Sequence, residues 1–126
     1  METKLSSEDF ERLARQCAEI CEERKASDIR LYNVQETSVI ADYYLICTAH
    51  SDPHIRAVSA NIEKQLKNQN IYPRNVEGVP SSHWMVMDYG GLMIHIFHPD
   101  TRKYYCLEEL WSDHEVLYQT TGEEET

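Results

Sequence analysis

The sequence contains no long apolar run. Nowhere in its 126 residues does a stretch approach the roughly 18 apolar residues of a membrane-spanning helix. The first residues, Met-Glu-Thr-Lys and an acidic continuation, have neither the apolar run of a signal peptide nor the Arg-rich, acid-poor composition of a transit peptide. We therefore expect a soluble, cytoplasmic protein that has no membrane partner.

Positive charge is also scarce. The chain has 12 Lys and Arg against 22 Asp and Glu, which gives a net charge of −10, and its basic residues occur singly or in short pairs. Because phosphate backbones repel an acidic surface without a basic patch, we expect little or no direct nucleic-acid binding. An acidic surface attracts a basic protein and speeds their encounter. Acidity of this kind can equally serve solubility alone, and composition leaves both interpretations open.

Recognisable catalytic arrangements are missing. The sequence has no Asp-x-Asp pair for two metal ions, no Gly-rich phosphate loop and no nucleophile in a recognisable turn. Asp42, Asp52 and Asp88 are isolated carboxylates; Ser51-Asp52-Pro53 is typical of a helix cap, and Asp88 of a turn. We therefore expect a protein that is not an enzyme and that needs no cofactor.

Histidine and cysteine do not form a metal-binding pattern. His95 and His98 make a His-x-x-His pair, but residues three apart on a strand point to opposite faces. No cysteine or carboxylate pair has zinc-like spacing, so we predict no metal site. Cys17 and Cys21 fall on the apolar stripe of a predicted helix, and all four cysteines are predicted to be free thiols rather than disulfides.

Apolar spacing predicts elements in the order α-β-β-α-β-β-β-α. They are a helix capped by Ser6 and Asp9 that extends to about Lys25, strands over residues 28–34 and 42–48, a helix that starts at Ser51 or Asp52, strands over residues 73–77, Trp84–Asp88 and Leu92–Phe97, and a helical region over residues 101–111 with Tyr104, Leu107 and Leu110 at helical spacing. The strand-helix-strand unit over residues 42–77 predicts a parallel pair, and the hairpins predict antiparallel neighbours. We expect a single α/β domain over residues 1–118, with one mixed sheet of about five strands flanked by helices. Residues 119–126 are expected to be a flexible acidic tail.

The segment from His83 to Pro99 predicts a hairpin with two different faces. Its two strands flank Tyr89-Gly90-Gly91, where the Gly pair is expected to supply the positive φ angles of a tight turn. In the second strand an aliphatic set alternates with a mixed set: Leu92, Ile94 and Ile96 against Met93, His95 and Phe97. Trp84 shares its face with Val86 and Asp88, and the pattern is equally consistent with a core position and with an interface. An exposed Trp among Met and aromatic side chains is typical of a protein-binding hot spot.

Six segments of the chain match one family in order and spacing. They are Ser38-Val-Ile-Ala-Asp-Tyr-Tyr-Leu-Ile, Ser51-Asp-Pro-His-Ile-Arg-Ala-Val, Asn75-Val-Glu-Gly, Trp84-Met-Val-Met-Asp-Tyr-Gly, His95-Ile-Phe-His-Pro and Tyr105-x-Leu-Glu-x-Leu-Trp111. Over about residues 10 to 114, the chain thereby resembles the ribosomal silencing factor family, also called RsfS or Iojap. One departure concerns Pro53 and His54, where members commonly have polar residues of a Thr-Ser-Arg-Gln-like sequence.

The resemblance implies a fold similar to the nucleotidyltransferase domain, without catalysis. It implies a protein that binds the large ribosomal subunit through the ribosomal protein called L-fourteen and hinders joining of the small subunit, which lowers translation when nutrients run short. By motif, the partner-facing residues of the hairpin are Trp84, Asp88, Tyr89, His95 and Phe97. Further family positions are Asp42, Tyr43, Asp52 and Arg56.

Roles for three of these residues follow from the expected partner. Trp84 and Phe97 are expected to be apolar anchors, and Asp88 is expected to pair with Lys or Arg of the basic partner. Two alternatives are a homodimeric scaffold that uses the same hairpin face and a nucleotidyltransferase-like enzyme. The second rests on fold similarity alone, and fold does not imply function.

Overall fold

The structure is a computed structural model that describes residues 5–38 and 41–120. The helices and strands are α1 (Ser7–Glu23), β1 (Ser27–Asn33), β2 (Tyr43–Thr48), α2 (Asp52–Lys67), β3 (Asn75–Glu77), β4 (Trp84–Asp88), β5 (Leu92–Phe97), α3 (Pro99–Tyr105) and β6 (Glu115–Gln119). Short 3-10 helices lie over Pro80–Ser82 and Leu107–Trp111. The first eight elements have the predicted order. Within the described ranges, no helix is both long and apolar enough to cross a membrane.

Local signals set the starts of the two long helices. The Ser6 hydroxyl accepts a hydrogen bond from the Asp9 N–H at 3.2 Å, and the Asp9 carboxylate accepts one from the Ser6 N–H at 3.1 Å. This capping box begins α1 as predicted. Ser51 caps α2 by accepting from the N–H of His54 at 3.2 Å, and Pro53 occupies the first turn, where no N–H is needed.

The sheet is mixed, with its one parallel pair at the centre. The order of its six strands is β3-β4-β5-β2-β1-β6. β2 runs parallel to β5, and the other pairs are antiparallel. The prediction of a parallel pair within residues 42–77 is wrong, because β3 pairs with β4 instead of β2. The three residues of β3 are exposed and suit an edge, whereas β5 is largely buried on both faces and needs a central position.

Strand β6 is the element that the sequence did not predict. Its residues are exposed or half-buried, so it lacks the apolar alternation of a strand and forms because the edge of β1 is available. The pairing continues to Thr120, whose N–H donates to the carbonyl of Ile29 at 3.0 Å. This corrects the start of the expected tail, since Gln119 and Thr120 are held by β1. The rest of that segment, residues 121–126, lies outside the described residues.

The hairpin between β4 and β5 uses its two glycines differently. Gly90 has a φ of +90°, which glycine adopts without strain. The prediction that both glycines have positive φ is wrong for Gly91, which is needed for packing. A Cβ at Gly91 would lie 2.5 Å from the ring of Phe10.

Helices α1 and α2 cover one face of the sheet. That core is aliphatic and thiol-rich and contains Leu13, Cys17, Cys21, Ile29, Leu31, Leu45, Cys47, Ile55, Val58, Ile62, Leu66, Met87, Leu92, Ile94 and Ile96, all buried. All four cysteines are free as predicted; Cys106 differs from the others in being half-buried. We call this side of the sheet the helix-covered face.

The opposite side of the sheet has a second, smaller core. Its buried members include Tyr32, Tyr44, Ile46 and Phe97, and Trp84, Met93, Leu107 and Trp111 pack against them. We call the side chains of Tyr32, Tyr44, Trp84, His95 and Phe97 the aromatic face. Alternation along β5 therefore sends Leu92, Ile94 and Ile96 to the helix-covered face and Met93, His95 and Phe97 to the opposite side.

Candidate functional site

Trp84 lies at the start of β4 and is half-buried on the aromatic face. Its ring centroid is 5.0 Å from that of Phe97 and 4.8 Å from that of Tyr105. The register pairs Trp84 with Phe97 across the hairpin, and such cross-strand aromatic pairs stabilise a sheet. The indole is thus held by packing and still presents part of its surface to solvent.

His95 holds the polar end of Trp84. The indole N–H of Trp84 donates to His95 Nδ1 at 3.2 Å, so the imidazole proton is on Nε2. His95 is 6 % exposed, and burial lowers its pKa to about 4, which keeps the ring neutral at neutral pH. Since the N–H of Trp84 is already used, the indole offers a partner its ring surface and no free donor.

A helical segment partly covers the aromatic face. It comprises α3 and the 3-10 helix Leu107–Trp111, and it turns at Cys106, whose φ is +51°. Trp111 packs against Tyr44 with ring centroids 4.8 Å apart. The predicted helix over residues 101–111 is therefore interrupted, because the left-handed residue ends α3.

Arg102 fastens this covering segment to the sheet. Its side chain is 5 % exposed; Nη1 donates to Thr48 Oγ1 at 2.9 Å and Nε donates to Glu108 Oε2 at 3.2 Å. The second terminal nitrogen lies 3.5 Å from a carboxylate oxygen of Asp28. A guanidinium between two carboxylates links α3, the 3-10 helix and the ends of β1 and β2.

Several large side chains on the covering segment face solvent. Tyr104 is 81 % exposed, Leu110 65 % and Tyr105 51 %. Tyr104 and Leu110 were predicted at helical spacing in one helical region, but they belong to two separate helices, because the left-handed residue Cys106 ends α3 between them. Tyr105 contacts both Tyr104 and Trp84, so the rings form a continuous exposed patch. The adjacent Tyr104-Tyr105 pair in so short a helix is the signal that could have indicated it.

Two carboxylates lie on the same side of the sheet as Trp84. Asp88 Oδ1 accepts a hydrogen bond from the Gly90 N–H at 2.8 Å, the turn contact that was predicted. Burial and then the charge of Asp88 raise the pKa of the Tyr44 phenol. Glu77 stands directly opposite Val86 in the register and lines a groove of about 250 Å³ beside Trp84.

Three of the predicted hairpin contacts are buried. Tyr89 is 5 % exposed and lies in the core of the helix-covered face, His95 is buried beneath Trp84, and Phe97 is fully buried with Trp84 packed against it. The expectation that these three residues face a partner directly is therefore corrected. Neighbouring side chains alternate between faces, which sends Tyr89 to the side opposite Asp88, and the Trp84 ring shields Phe97.

The other four predicted positions lie at opposite ends of β2. Asp42 and Tyr43 lie at its start, and the side chain of Tyr43 belongs to the helix-covered core. Asp52 and Arg56 lie in the first turns of α2. Asp52 Oδ1 is 3.4 Å from Nε2 of His83, the residue before Trp84.

The histidines do not converge on a metal site. His95 lies beneath Trp84, whereas His98 caps α3 and stacks on His83 with ring centroids 4.7 Å apart. Among the described residues, no three His, Cys, Asp or Glu side chains are placed to hold a metal ion.

Comparison with known proteins identifies the family. A family model described as "Ribosomal silencing factor during starvation" matches residues 7–126. The chain belongs to the ribosomal silencing factor family. The RsfS protein of Bacillus subtilis is 36 % identical over 96 residues, which cover 76 % of this chain and 81 % of that protein.

Organellar proteins are similar to this RsfS family member as well. The mouse protein named "Mitochondrial assembly of ribosomal large subunit protein 1" is 30 % identical over 93 residues, covering 71 % of this chain and 41 % of that protein. The maize protein named "Protein Iojap, chloroplastic" is 31 % identical over 96 residues, covering 76 % of this chain and 42 % of that one.

Solved structures share the fold of this RsfS family member. A crystal structure from Bacillus halodurans has a TM-score of 0.69 at 30 % identity and covers 82 % of this chain and 94 % of its own. A second, from Chromobacterium violaceum, has a TM-score of 0.77 at 22 % identity and covers 92 % and 89 %. The mixed α/β sheet flanked by helices is therefore the family fold.

Proposed function

We propose that this protein binds the large ribosomal subunit through ribosomal protein L-fourteen and sterically blocks joining of the small subunit, which represses translation under nutrient limitation. The proposal extends the family assignment to a partner and a mechanism. The observation that carries it is Trp84, a half-buried indole on a ring-rich face whose only N–H donor is already used by His95. Such a group gains from contact with another protein surface more than from water.

The electrostatic part of the proposal concerns a basic partner. The net charge of −10 attracts a basic ribosomal protein and repels exposed RNA phosphates. Asp88, on the side of the sheet that carries Trp84, is positioned to pair with a Lys or Arg of that protein. Charge therefore speeds association and orients it, while desolvation of Trp84 and Tyr105 contributes most of the affinity.

The inhibitory part of the proposal requires no chemical step. An interface of roughly 1,600 Å² in total is enough to hold a domain of this size in place. Once bound on the face of the large subunit that meets the small subunit, the domain occupies space that the small subunit needs. Phe97 and His95 act from beneath, by holding Trp84 in its orientation.

Co-sedimentation tests the proposed partner. Purified protein is mixed with isolated large subunits, small subunits and joined ribosomes at two salt concentrations. We expect pelleting with large subunits alone, and weaker pelleting at the higher salt because the attraction is screened. Equal pelleting with small subunits would contradict the proposal.

A matched pair of variants tests the proposed surface. Trp84→Ala is expected to weaken large-subunit binding by about 2 kcal/mol or more, about thirtyfold in dissociation constant. Tyr72→Ala is the control, because Tyr72 is an exposed aromatic outside the aromatic face, and it should bind as the wild type does. Near-UV circular dichroism verifies that both variants fold.

Subunit joining tests the proposed mechanism. Large subunits are preincubated with wild-type protein or Trp84→Ala, small subunits are added, and joined ribosomes are measured on a sucrose gradient. The wild type should reduce joining and the variant should not. Equal inhibition by a folded Trp84→Ala protein would exclude this surface as the cause.

A further inference from the structure

We propose that the groove beside Trp84 is a subsite for one arginine side chain of the partner protein. The groove, called here the Trp84 groove, is lined by Glu77, Gly78, Ser82, Trp84 and Val86 and has a volume of about 250 Å³. This inference rests on the proposed function and deepens it, because it names the chemical group that the acidic protein selects on its basic partner.

The hydrogen-bonding groups of the groove are largely used within the protein. The indole N–H of Trp84 donates to His95. The Ser82 hydroxyl accepts from the Val79 N–H at 3.3 Å and contacts the Trp84 carbonyl at 2.9 Å. What the groove offers an incoming side chain is therefore the ring of Trp84, the methyl groups of Val86 and one carboxylate.

That carboxylate belongs to Glu77, on the edge strand β3. Glu77 pairs in register with Val86 of β4, so its side chain rises from the same side of the sheet as Trp84, two residues along. Glu77 is exposed, and its Oε2 accepts one hydrogen bond from the Asn75 amide at 2.8 Å. A carboxylate has about four acceptor positions, which leaves capacity for a cationic donor.

An aromatic ring beside a carboxylate favours binding of a cation. The arrangement of the two groups favours arginine over lysine. A guanidinium stacks on an indole face and donates to a carboxylate in the same plane, which a lysine ammonium cannot do. The three methylenes of arginine can lie along Val86. The net charge of −10 favours the same occupant at long range.

Gly78 fixes the shape of the groove. Its φ is +85°, and a Cβ there would lie 2.2 Å from the carbonyl oxygen of Trp84. Only glycine allows β3 to leave the sheet so close to β4, so the groove wall is set by the backbone.

Charge-matched variants test the subsite on the large subunit. Glu77→Gln and Glu63→Gln remove the same charge; Glu63 is exposed on α2 and contributes nothing to the groove. We expect Glu77→Gln to raise the dissociation constant about threefold to fivefold, the size of an ion pair at a partly exposed site, because the ring of Trp84 remains. We expect Glu63→Gln to change it less than about twofold, since it alters only long-range charge.

The outcomes separate the subsite from the proposed function. Equal weakening by both variants, with the wild type bound, would overturn the subsite and leave the proposed function intact. No binding of the wild type to large subunits would overturn both. Because Glu77 is exposed, its replacement is expected to leave the fold intact, which thermal unfolding verifies.

A probe experiment tests the subsite without the ribosome. The indole N–H signals of Trp84 and Trp111 are followed by NMR while N-acetyl-arginine amide, or its uncharged analogue N-acetyl-citrulline amide, is added. The arginine probe should shift the Trp84 signal at least about twice as far as the citrulline probe does, with Trp111 unmoved, because only the cation gains the ring and the carboxylate. The difference should become smaller in Glu77→Gln, because this variant loses the carboxylate and keeps the ring of Trp84. Equal shifts from the two probes in the wild type would overturn the proposal.

Discussion

The two faces of strand β5 are built from different side chains and are covered in different ways. Leu92, Ile94 and Ile96 are fully buried beneath the long helices α1 and α2. On the other face, His95 and Phe97 are buried mainly by other rings, and the cover is a short helix followed by a 3-10 helix. Two long helices shield the helix-covered face from solvent, whereas the aromatic face is shielded mainly by packing among its own rings.

This difference explains why the binding surface is proposed on the aromatic face. The aliphatic core beneath the two capped helices is not accessible to a partner protein. The aromatic face buries Phe97 and His95 and leaves Trp84, together with Tyr105 of α3, in contact with solvent. The rings thus stabilise the fold and retain contact area for a partner.

The largest expected effect tests whether the aromatic face is a true core. Phe97→Ala should lower the free energy of unfolding by about 4 kcal/mol, because it removes a fully buried ring and leaves a cavity. Urea denaturation measures it, with Ile96→Ala as the matched variant on the helix-covered face. A cost below about 1 kcal/mol for Phe97→Ala, with a large cost for Ile96→Ala, would mean that only one face is packed.

The next effect concerns Arg102, which links α3 and the following 3-10 helix to the sheet. Arg102→Met should lower the free energy of unfolding by about 3 kcal/mol, because it removes the cation beside the carboxylate of Glu108 and leaves Asp28 with Arg30 alone. Lys103→Met is the control, since Lys103 is exposed on the same helix. Equal stabilities of the two variants in urea would refute the role given to Arg102.

The third effect is a pH dependence that belongs to the aromatic face. The pKa of His95 is lowered from 6.5 to about 4, so the unfolded chain binds its proton first as the pH falls. Stability from this group is complete above pH 6.5 and decreases toward pH 4, by about 2 kcal/mol at pH 5. His95→Asn should lose that part of the dependence, measured as the difference between wild type and variant at pH 8 and pH 5.

A second His95 variant separates its hydrogen bond from its size. The amide oxygen of Asn can replace Nδ1 as acceptor for the Trp84 indole, whereas that of Gln corresponds in position to Nε2. His95→Asn should therefore keep the near-UV circular dichroism of Trp84 better than His95→Gln. Identical spectra for the two variants would contradict an orienting hydrogen bond.

The smallest expected effect concerns the N-terminal cap of α2, one of the two helices on the helix-covered face. Ser51→Ala should lower the free energy of unfolding by about 1 kcal/mol, because it removes the acceptor that caps α2. Ser51→Asp keeps an acceptor and should recover most of that loss. Thermal unfolding of both variants and the wild type measures the difference. If Ser51→Asp is no better than Ser51→Ala, the cap does not contribute to the stability of α2.

The sequence predicted best the elements whose signals are local. The capping box at Ser6, the cap at Ser51 and the alternation along β5 lead directly to α1, α2 and the two faces. It failed where long-range contact decides the structure. β6 has no strand pattern of its own and forms on the edge of β1. The parallel partner of β2 is β5, and two other strands, β3 and β4, separate them along the chain.

The candidate site divides in the same way. Motif and composition indicated the hairpin and Trp84, and both lie on the side proposed for binding. They could not separate Phe97 and Tyr89, which are buried, from Tyr104 and Tyr105, which are exposed. Exposure depends on which element covers a residue, and the turn at Cys106 that sets this cover has no sequence signal.

The sequence by itself determined the acidic charge, the helix starts, the alternation of the central strands and the family. These depend on composition and on contacts between residues close along the chain. Only the tertiary structure decided which ring lies above which, that the indole N–H of Trp84 is used by His95, and that Glu77 lies beside that indole. These depend on strand register and on the packing of elements far apart in sequence, which local residue patterns do not encode.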